Sequence, residues 1–301
     1  KINLYKEDYS NGIVKVNPST VMNAMGMGDM IEASNNSSMS SMMMTNTDVW
    51  IEMLDNEELL HSQYNLLSGN WPKNYNEVVL VVDENNQVSD YTLYSLGIKN
   101  QDELEKKFKA MQKGEKVEEA EQTSYAYEDL VGLSFKLILN SDYYVKENGL
   151  WINKSENDDY MKQKIDEAES IKLVGIIKKK PETVAVAVTE GIGYTKALEE
   201  YVINRSNEAE IVKEQKENPD INVFSGLDFP KEDEKQSFDY NSLSLEQKQA
   251  MASLSAEDLA KMMETYTENM NSSYEKNLEK LGAIDLNNPT SISIYPKDFA
   301  S

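Results

Sequence analysis

The run Glu77-Val78-Val79-Leu80-Val81-Val82 constrains this chain more than any other stretch. Five consecutive apolar residues, four of them β-branched and ended by Asp83-Glu84-Asn85-Asn86, predict a strand buried in a sheet. The segment Ile171-Lys172-Leu173-Val174-Gly175-Ile176-Ile177 predicts the next strongest strand. A core is within reach of such a chain, since 40% of its 301 residues are hydrophobic and 17 are Tyr. That length suits two subdomains, or one domain carrying a large insertion.

The other elements arrange themselves around these strands. Residues 2–16 predict a hairpin, with Ile2 and Leu4 on one arm, Ile13, Val14 and Val16 on the other, and Ser10-Asn11-Gly12 as the turn. Residues 20–32 show a helical period through Val21 and Met25, which Asn35-Asn36-Ser37-Ser38 breaks. Asp48 is placed to cap a helix reaching His61, with Trp50, Met53, Leu54 and Leu60 on its apolar side. Ser68-Gly69-Asn70-Trp71-Pro72 is a turn. Residues 89–97 and 100–113 read as helices closed by Gly97 and Gly114.

A second β region covers 123–153. Phe135, Leu137 and Leu139 recur at every second position there, and Tyr143-Tyr144-Val145 and Leu150-Trp151-Ile152 flank a turn at Glu147-Asn148-Gly149. Val184, Val186 and Val188 predict a strand, and 194–217 a helix with a break near Arg205-Ser206-Asn207. Residues 225–241 read as loop. Ser244 and Ser255 each open a helix by a capping box, with Gln247 and Asp258 respectively. Leu259, Met263, Tyr266, Met270, Tyr274, Leu278 and Leu281 stripe the second of these, so 255–281 reads as one rod of roughly 40 Å that Gly282 stops. Ile292, Ile294 and Tyr295 predict a last strand. Strands that alternate with helices yet pair in hairpins argue for an α+β fold with mixed sheets and a helical hairpin insertion. The three tryptophans, Trp50, Trp71 and Trp151, read as core anchors.

Charge and composition exclude several function classes. Thirty Lys and Arg face 53 Asp and Glu, a formal net charge of −23. A field of that sign repels phosphate backbones, so nucleic acid is not an expected partner. It favours cations and cationic peptides, although keeping the chain soluble is the plainer role for the excess carboxylate. No cysteine occurs, which removes disulfides, thiolate metal sites and cysteine nucleophiles. Arg205 is the only arginine and His61 the only histidine. One histidine cannot furnish a zinc set, and at the end of a predicted helix His61 is placed to favour the helix C-terminus rather than to serve a triad. Gly191-Ile192-Gly193 and Gly26-Met27-Gly28 are turns that complete no nucleotide-binding loop. Asp83-Glu84-Asn85-Asn86-Gln87 lacks the central Gly and distal Glu of a calcium loop. No run approaches the roughly 18 apolar residues of a membrane span. No catalytic residue, cofactor or metal site is therefore expected.

Two stretches are candidates for contact with a substrate or partner. Eight of the 15 methionines lie between 22 and 44, where Met39, Met42, Met43 and Met44 sit in a Ser/Asn-rich tract. Thioethers suit Cu(I) or adaptable apolar ligands; a Met-lined helix face is the plainer reading. Met263, Tyr266 and Met270 on the long stripe suit either packing against 244–254 or a protruding hairpin that meets a partner.

The segment Leu67-Ser-Gly-Asn-Trp-Pro-Lys-Asn-Tyr-Asn-Glu-Val-Val-Leu80 resembles the G-x-W/F-P followed by E-V-V-L signature of MacB-like permease ectodomains. Ile171–Ile177 resembles the strand by which such domains return toward the membrane, and Ser291–Phe299 the strand leading to the second transmembrane helix. With Tyr91-Thr-Leu-Tyr-Ser-Leu-Gly97 and Glu200-Tyr-Val-Ile-Asn204, these are similar to MacB-like/FtsX-like ABC permeases of low-GC Gram-positive bacteria. The resemblance spans about 60–230 and 283–301. It implies an extracellular domain held at the cell membrane between the first two transmembrane helices, with both ends near each other and near the bilayer. It further implies a porter-like, βαβ-rich membrane-proximal layer from 1–47, 165–230 and 283–301, a distal α+β subdomain at 48–164, and a helical insertion at 231–282. The implied partners are a cytoplasmic ATPase subunit, a second permease copy in the membrane, and a cationic peptide, lipid or cell-wall protein outside. The insertion and the Met-rich 20–44 segment depart from simpler members of that family. A free-standing surface binding or adhesion module is the alternative, and an extracellular hydrolase a third reading.

Overall fold

The computed structural model describes residues 2–8, 12–24, 49–115, 123–183, 188–230, 263 and 267–284. Their elements run in order β1 (Ile2–Asp8), β2 (Gly12–Lys15), α1 (Pro18–Ala24), β3 (Trp50–Glu52), α2 (Glu57–Gln63), β4 (Tyr64–Gly69), β5 (Glu77–Val82), α3 (Asp90–Ser95), α4 (Gln101–Gln112), α5 (Tyr127–Leu130) and β6 (Ser134–Leu139). A 3₁₀ turn (Asn140–Tyr143) follows, then β7 (Tyr144–Glu147), β8 (Leu150–Asn153), α6 (Asp158–Glu167), β9 (Glu169–Lys179), β10 (Gly191–Tyr194), α7 (Lys196–Glu208), α8 (Glu210–Glu217) and α9 (Tyr274–Leu281). The class is mixed α+β. None of the helices among the described residues is long and apolar enough to cross a membrane.

The chain divides into two compact units: residues 1–139 with 155–202, and residues 140–154 with 203–301. The first unit is built on an eight-stranded mixed sheet in the order β2-β1-β6-β9-β5-β10-β3, with β4 also paired to β9. β5 runs parallel to β9 and β3 parallel to β10, and the other pairs are antiparallel. The apolar run of β5 is explained by burial on both faces of the sheet. Val78, Leu80 and Val82 enter one cluster with Phe135, Leu137, Ile171 and Leu173, while Val79 and Val81 enter another with Met53, Leu60, Tyr64 and Ile177. Each such side chain withdrawn from water contributes about 1.5–3 kcal/mol.

β9 does not alternate regularly, and the reason is a bulge. Val78 pairs with Leu173 but Val79 pairs with Gly175, so Val174 is the extra residue. The insertion moves Ile176 onto the same face as Ile171 and Leu173 and sends Ile177 to the other. The N-terminal half of β9 pairs with β6, and its C-terminal half with β4.

Several predicted elements form where expected. The 2–16 hairpin pairs Asp8 with Gly12. Ser89 and Asn100 cap α3 and α4, and Gly97 and Gly114 follow them at positive φ. The β7–β8 turn holds Asn148 at φ 52° and Gly149 at φ 87°, the left-handed pair a tight hairpin requires.

Three expectations are corrected. Residues 50–61 are not one helix. Trp50–Glu52 is a strand, because pairing with β10 offers its backbone a parallel ladder, and α2 starts later under Asn56, whose side chain accepts from the Leu59 N–H. Residues 255–281 are not one rod. The helical turn 267–270 ends at Asn271, where Ser272 donates to the Asn269 carbonyl, and Ser273 in extended conformation caps a separate α9 that Gly282 closes. The break within 194–217 falls at Ala209, beyond Arg205-Ser206-Asn207. The strands expected at 184–188 and 292–295, the helices opened by Ser244 and Ser255, most of the 20–32 helix, and both chain ends lie wholly or largely outside the described residues.

Candidate functional site

Ser68 and Gly69, expected in a turn, end strand β4 instead, and the chain passes through Trp71-Pro72 to a turn at Asn74–Asn76 before β5. Glu77, the first residue of β5, accepts from the Lys73 N–H at 2.6 Å, from the Asn74 N–H at 3.0 Å and from the Asn74 side chain at 2.9 Å. These bonds, that from Lys73 foremost, hold its carboxyl below the usual carboxylate range. Trp71 packs against the Met53–Leu60–Tyr64 cluster and lies over His61, ring centroids 4.4 Å apart. A groove of about 490 Å³ opens there, with half-exposed Leu66 and Tyr75 on its walls. Tyr75 stacks on Tyr201 at 4.5 Å, and burial, joined by Glu169, pushes its hydroxyl up. At the exposed end of β3, burial and then the neighbouring Glu199 push the Glu52 carboxyl up.

The larger opening, about 820 Å³, lies in the second unit. Its frame is the β7–β8 hairpin, α8, the 218–230 loop and α9. Ile211 and Val212 of α8, Trp151 of β8, Val223 and Leu281 close a small apolar core. The Trp151 indole donates to Glu214 at 2.8 Å, and Lys146 donates to the same oxygen at 2.7 Å. Burial pushes the Glu214 carboxyl up, but these bonds and the lysine charge outweigh it and hold it low.

Beside that core runs a set of buried carboxamides. Asn222, Asn269 and Asn277 are all at most 5% exposed, and Gln215 is fully buried. Asn277 donates to Gln215 and to Asn222, each at 2.8 Å. Asn222 donates to Asn269 at 2.7 Å and to Ser272 at 3.2 Å, and its oxygen also accepts from the Phe224 N–H at 3.0 Å. Gln215 donates to the carbonyls of Asn218 and Ile221. Ser225 donates to Asn269, which in turn donates to the Asp228 carbonyl. The network ties the 218–230 loop to α8 and to the 267–281 segment.

The opening stands over this floor. Its walls are Tyr144 and Phe224, rings 4.9 Å apart, with Met263 and the exposed Ile152. Its rim carries Lys276, Lys280 and Glu268, with the Lys280 ammonium 4.8 Å from the Phe224 ring centre. Burial first and the Glu268 charge second push the Tyr144 hydroxyl up to about 12, so it remains an O–H donor at neutral pH.

Among the sequence candidates, Met263 lines this opening and Met270 is half-buried beside Asn269. Met39, Met42, Met43, Met44 and Tyr266 lie outside the described residues. Sequence reasoning missed Tyr144, Phe224, Lys276, Lys280 and the carboxamides. The faint signal available was four amide side chains, Gln215, Asn222, Asn269 and Asn277, near apolar helix positions. Among the described residues, no three His, Cys, Asp or Glu side chains gather in a way that could hold a metal ion. No protein-family model, no curated protein and no solved structure matches this chain.

Proposed function

We propose that this chain is the extracellular, non-catalytic domain of a MacB-like or FtsX-like ABC-transporter permease. In that role it couples ATP hydrolysis on a separate cytoplasmic subunit to the export of a peptide, lipoprotein or lipid, or to a partner protein outside the cell. One observation carries the reading. The two most telling segments of the resemblance, Leu67–Leu80 and Ile171–Ile177, are far apart in sequence yet lie side by side, β5 parallel to β9 from Glu77–Lys172 to Val82–Lys178. The glycines of the two segments, Gly69 and Gly175, meet across the β4–β9 ladder. Motifs that form one contiguous piece of sheet support common descent better than two scattered matches would. The porter-like layer near the membrane and the distal subdomain belong to the same proposal.

Motion is the function this assigns. Helix movements driven by nucleotide are passed into a rigid mixed sheet and from it to the remainder of the domain. Because the chain has no cysteine, a single introduced thiol is unique within it. The test places Asn85→Cys, an exposed turn position, in the full-length gene product and labels intact cells with a membrane-impermeant maleimide. Labelling from outside, with a nucleotide-hydrolysing subunit co-purifying in detergent, is the expected result. A product that is shed into the medium, or labelled only after lysis, overturns the proposal.

A further inference from the structure

We infer that the opening in the second unit binds an anionic amphiphile, a molecule with an apolar body and a single carboxylate or phosphate head. The inference rests on the cavity alone; the ligand becomes a cargo only under the permease role proposed above. At about 820 Å³ the opening falls within the roughly 300–1,000 Å³ usual for small-molecule sites.

Hydrogen-bond accounting decides the ligand class. A floor of carboxamides suggests a polar ligand such as a sugar. Here, however, most of these groups are already spent, on one another and on backbone carbonyls. Asn222 uses both amide hydrogens and accepts twice, Asn277 uses both amide hydrogens, and Gln215 uses both amide hydrogens and accepts from Asn277 and from the Val223 N–H. A polar ligand would gain few bonds there without breaking a buried network. What the opening offers instead is apolar wall and a cationic edge. Tyr144, Phe224, Met263 and Ile152 supply the wall.

Lys276 and Lys280 stand four residues apart on α9, hence on one face of the helix. Lys276 donates to the Asn271 carbonyl at 2.7 Å, and Lys280 rests over Phe224. Neither has a carboxylate partner among the described residues. Among the described residues Glu268 is the single acidic side chain on the same rim, so the balance of those residues is cationic in a chain whose net charge is −23. The repulsion from distant carboxylates is screened beyond about 8–10 Å at physiological salt, so the adjacent lysine pair governs an anionic head. The Tyr144 hydroxyl, a donor without a hydrogen-bond partner among the described residues, adds an O–H within the walls.

The test titrates the full chain by calorimetry with dodecanoate and with monododecyl phosphate, each below its micelle concentration. Dodecyl maltoside and dodecyltrimethylammonium serve as neutral and cationic controls of equal chain length. Both anions are expected to bind at one site per chain, and at least tenfold more tightly than either control. The tighter of the two anions identifies the head as carboxylate or phosphate. Lys276→Gln with Lys280→Gln is expected to weaken the anions at least tenfold while the chain still unfolds cooperatively, since both side chains are exposed. Lys276→Arg with Lys280→Arg is expected to retain binding, and Ile152→Asp to weaken all binding. Anions that bind no better than the controls, that bind the double Gln variant undiminished, or that do not bind at all overturn the inference. Any of these results leaves the surface-labelling test of the permease role untouched.

Discussion

Gly69 and Gly175 oppose one another where β4 crosses the bulged part of β9, and neither position has room for a β-carbon. A Cβ on Gly69 would stand 2.1 Å from the Val174 carbonyl oxygen, and one on Gly175 would stand 2.2 Å from that of Asn70. Gly69 also holds φ at +74°. Both obstacles are backbone atoms, so no side chain can swing aside. Gly69→Ala combines left-handed strain with overpacking and is expected to cost about 2–4 kcal/mol. Gly175→Ala, which carries the clash alone, is expected to cost about 1–3 kcal/mol. Urea denaturation of both variants checks the order. A Gly69→Ala chain as stable as the parent would mean that the two strands do not approach this closely.

The phenol of Tyr64 closes a buried loop. Its oxygen donates to the Val188 carbonyl at 2.6 Å and accepts from the Val188 N–H at 2.7 Å, and both residues are at most 2% exposed. Tyr64→Phe keeps the ring packed but orphans two backbone groups, each worth about 1–3 kcal/mol when left unsatisfied in the interior. A loss of about 2–4 kcal/mol is expected, with little change in the denaturant slope. A loss below half a kcal/mol would show that solvent reaches the site and replaces the bonds.

What the sequence disclosed, and what it hid, divides by the range of the interactions. β5 was legible because burial on two faces writes an unbroken apolar run, and the β7–β8 hairpin because Asn148-Gly149 is a local turn signal. β3 was not, because Trp50, Met53, Leu54 and Leu60 also fit a helical period, and its true partner, Ile192 and Gly193 of β10, is distant in the chain. The rod at 255–281 was misread because the apolar stripe continues through Met270 and Tyr274, while the break depends on Ser272 and Ser273 bonding to the backbone around them. The bulge at Val174 leaves no mark beyond a glycine that suits many positions. The candidate site was the least legible. Gln215, Asn222, Asn269 and Asn277 read as solvated amides until contacts spanning 47 to 62 residues pair them with one another.

Asn222 is the junction of that network, with its two amide hydrogens and its oxygen all engaged. Asn222→Ala strands one hydrogen of Asn277 in a buried setting and the Phe224 N–H in a partly buried one. The cost is expected to be about 3–5 kcal/mol, felt first in the 218–230 loop and α9. Hydrogen exchange should accelerate about a hundredfold or more at amides of 222–227 and 274–281. Uniform acceleration in β5 and β9 as well would show instead that the network supports the whole chain.

The alkaline limb of the stability curve should carry the signature of Tyr144. Burial, aided by the Glu268 charge, raises its hydroxyl from 10.0 to about 12 in the folded chain. A raised value means the folded state retains a proton that the unfolded state releases. The stabilisation is therefore complete below about pH 10, declines as the unfolded phenol ionises, and is exhausted as pH rises through about 12. Lysine deprotonation acts over the same interval, so the comparison is with Tyr144→Phe, which has no proton to release. Denaturation at pH 8, 10 and 11.5 is expected to show the parent losing more stability than the variant between the last two values. Absorbance near 295 nm should find one fewer late-titrating tyrosine in Tyr144→Phe than in the parent, since burial also raises Tyr75 and Tyr94 in both chains. Parallel stability curves for the two chains would place the Tyr144 hydroxyl in open water, and with it would go the donor assigned to the wall of the opening.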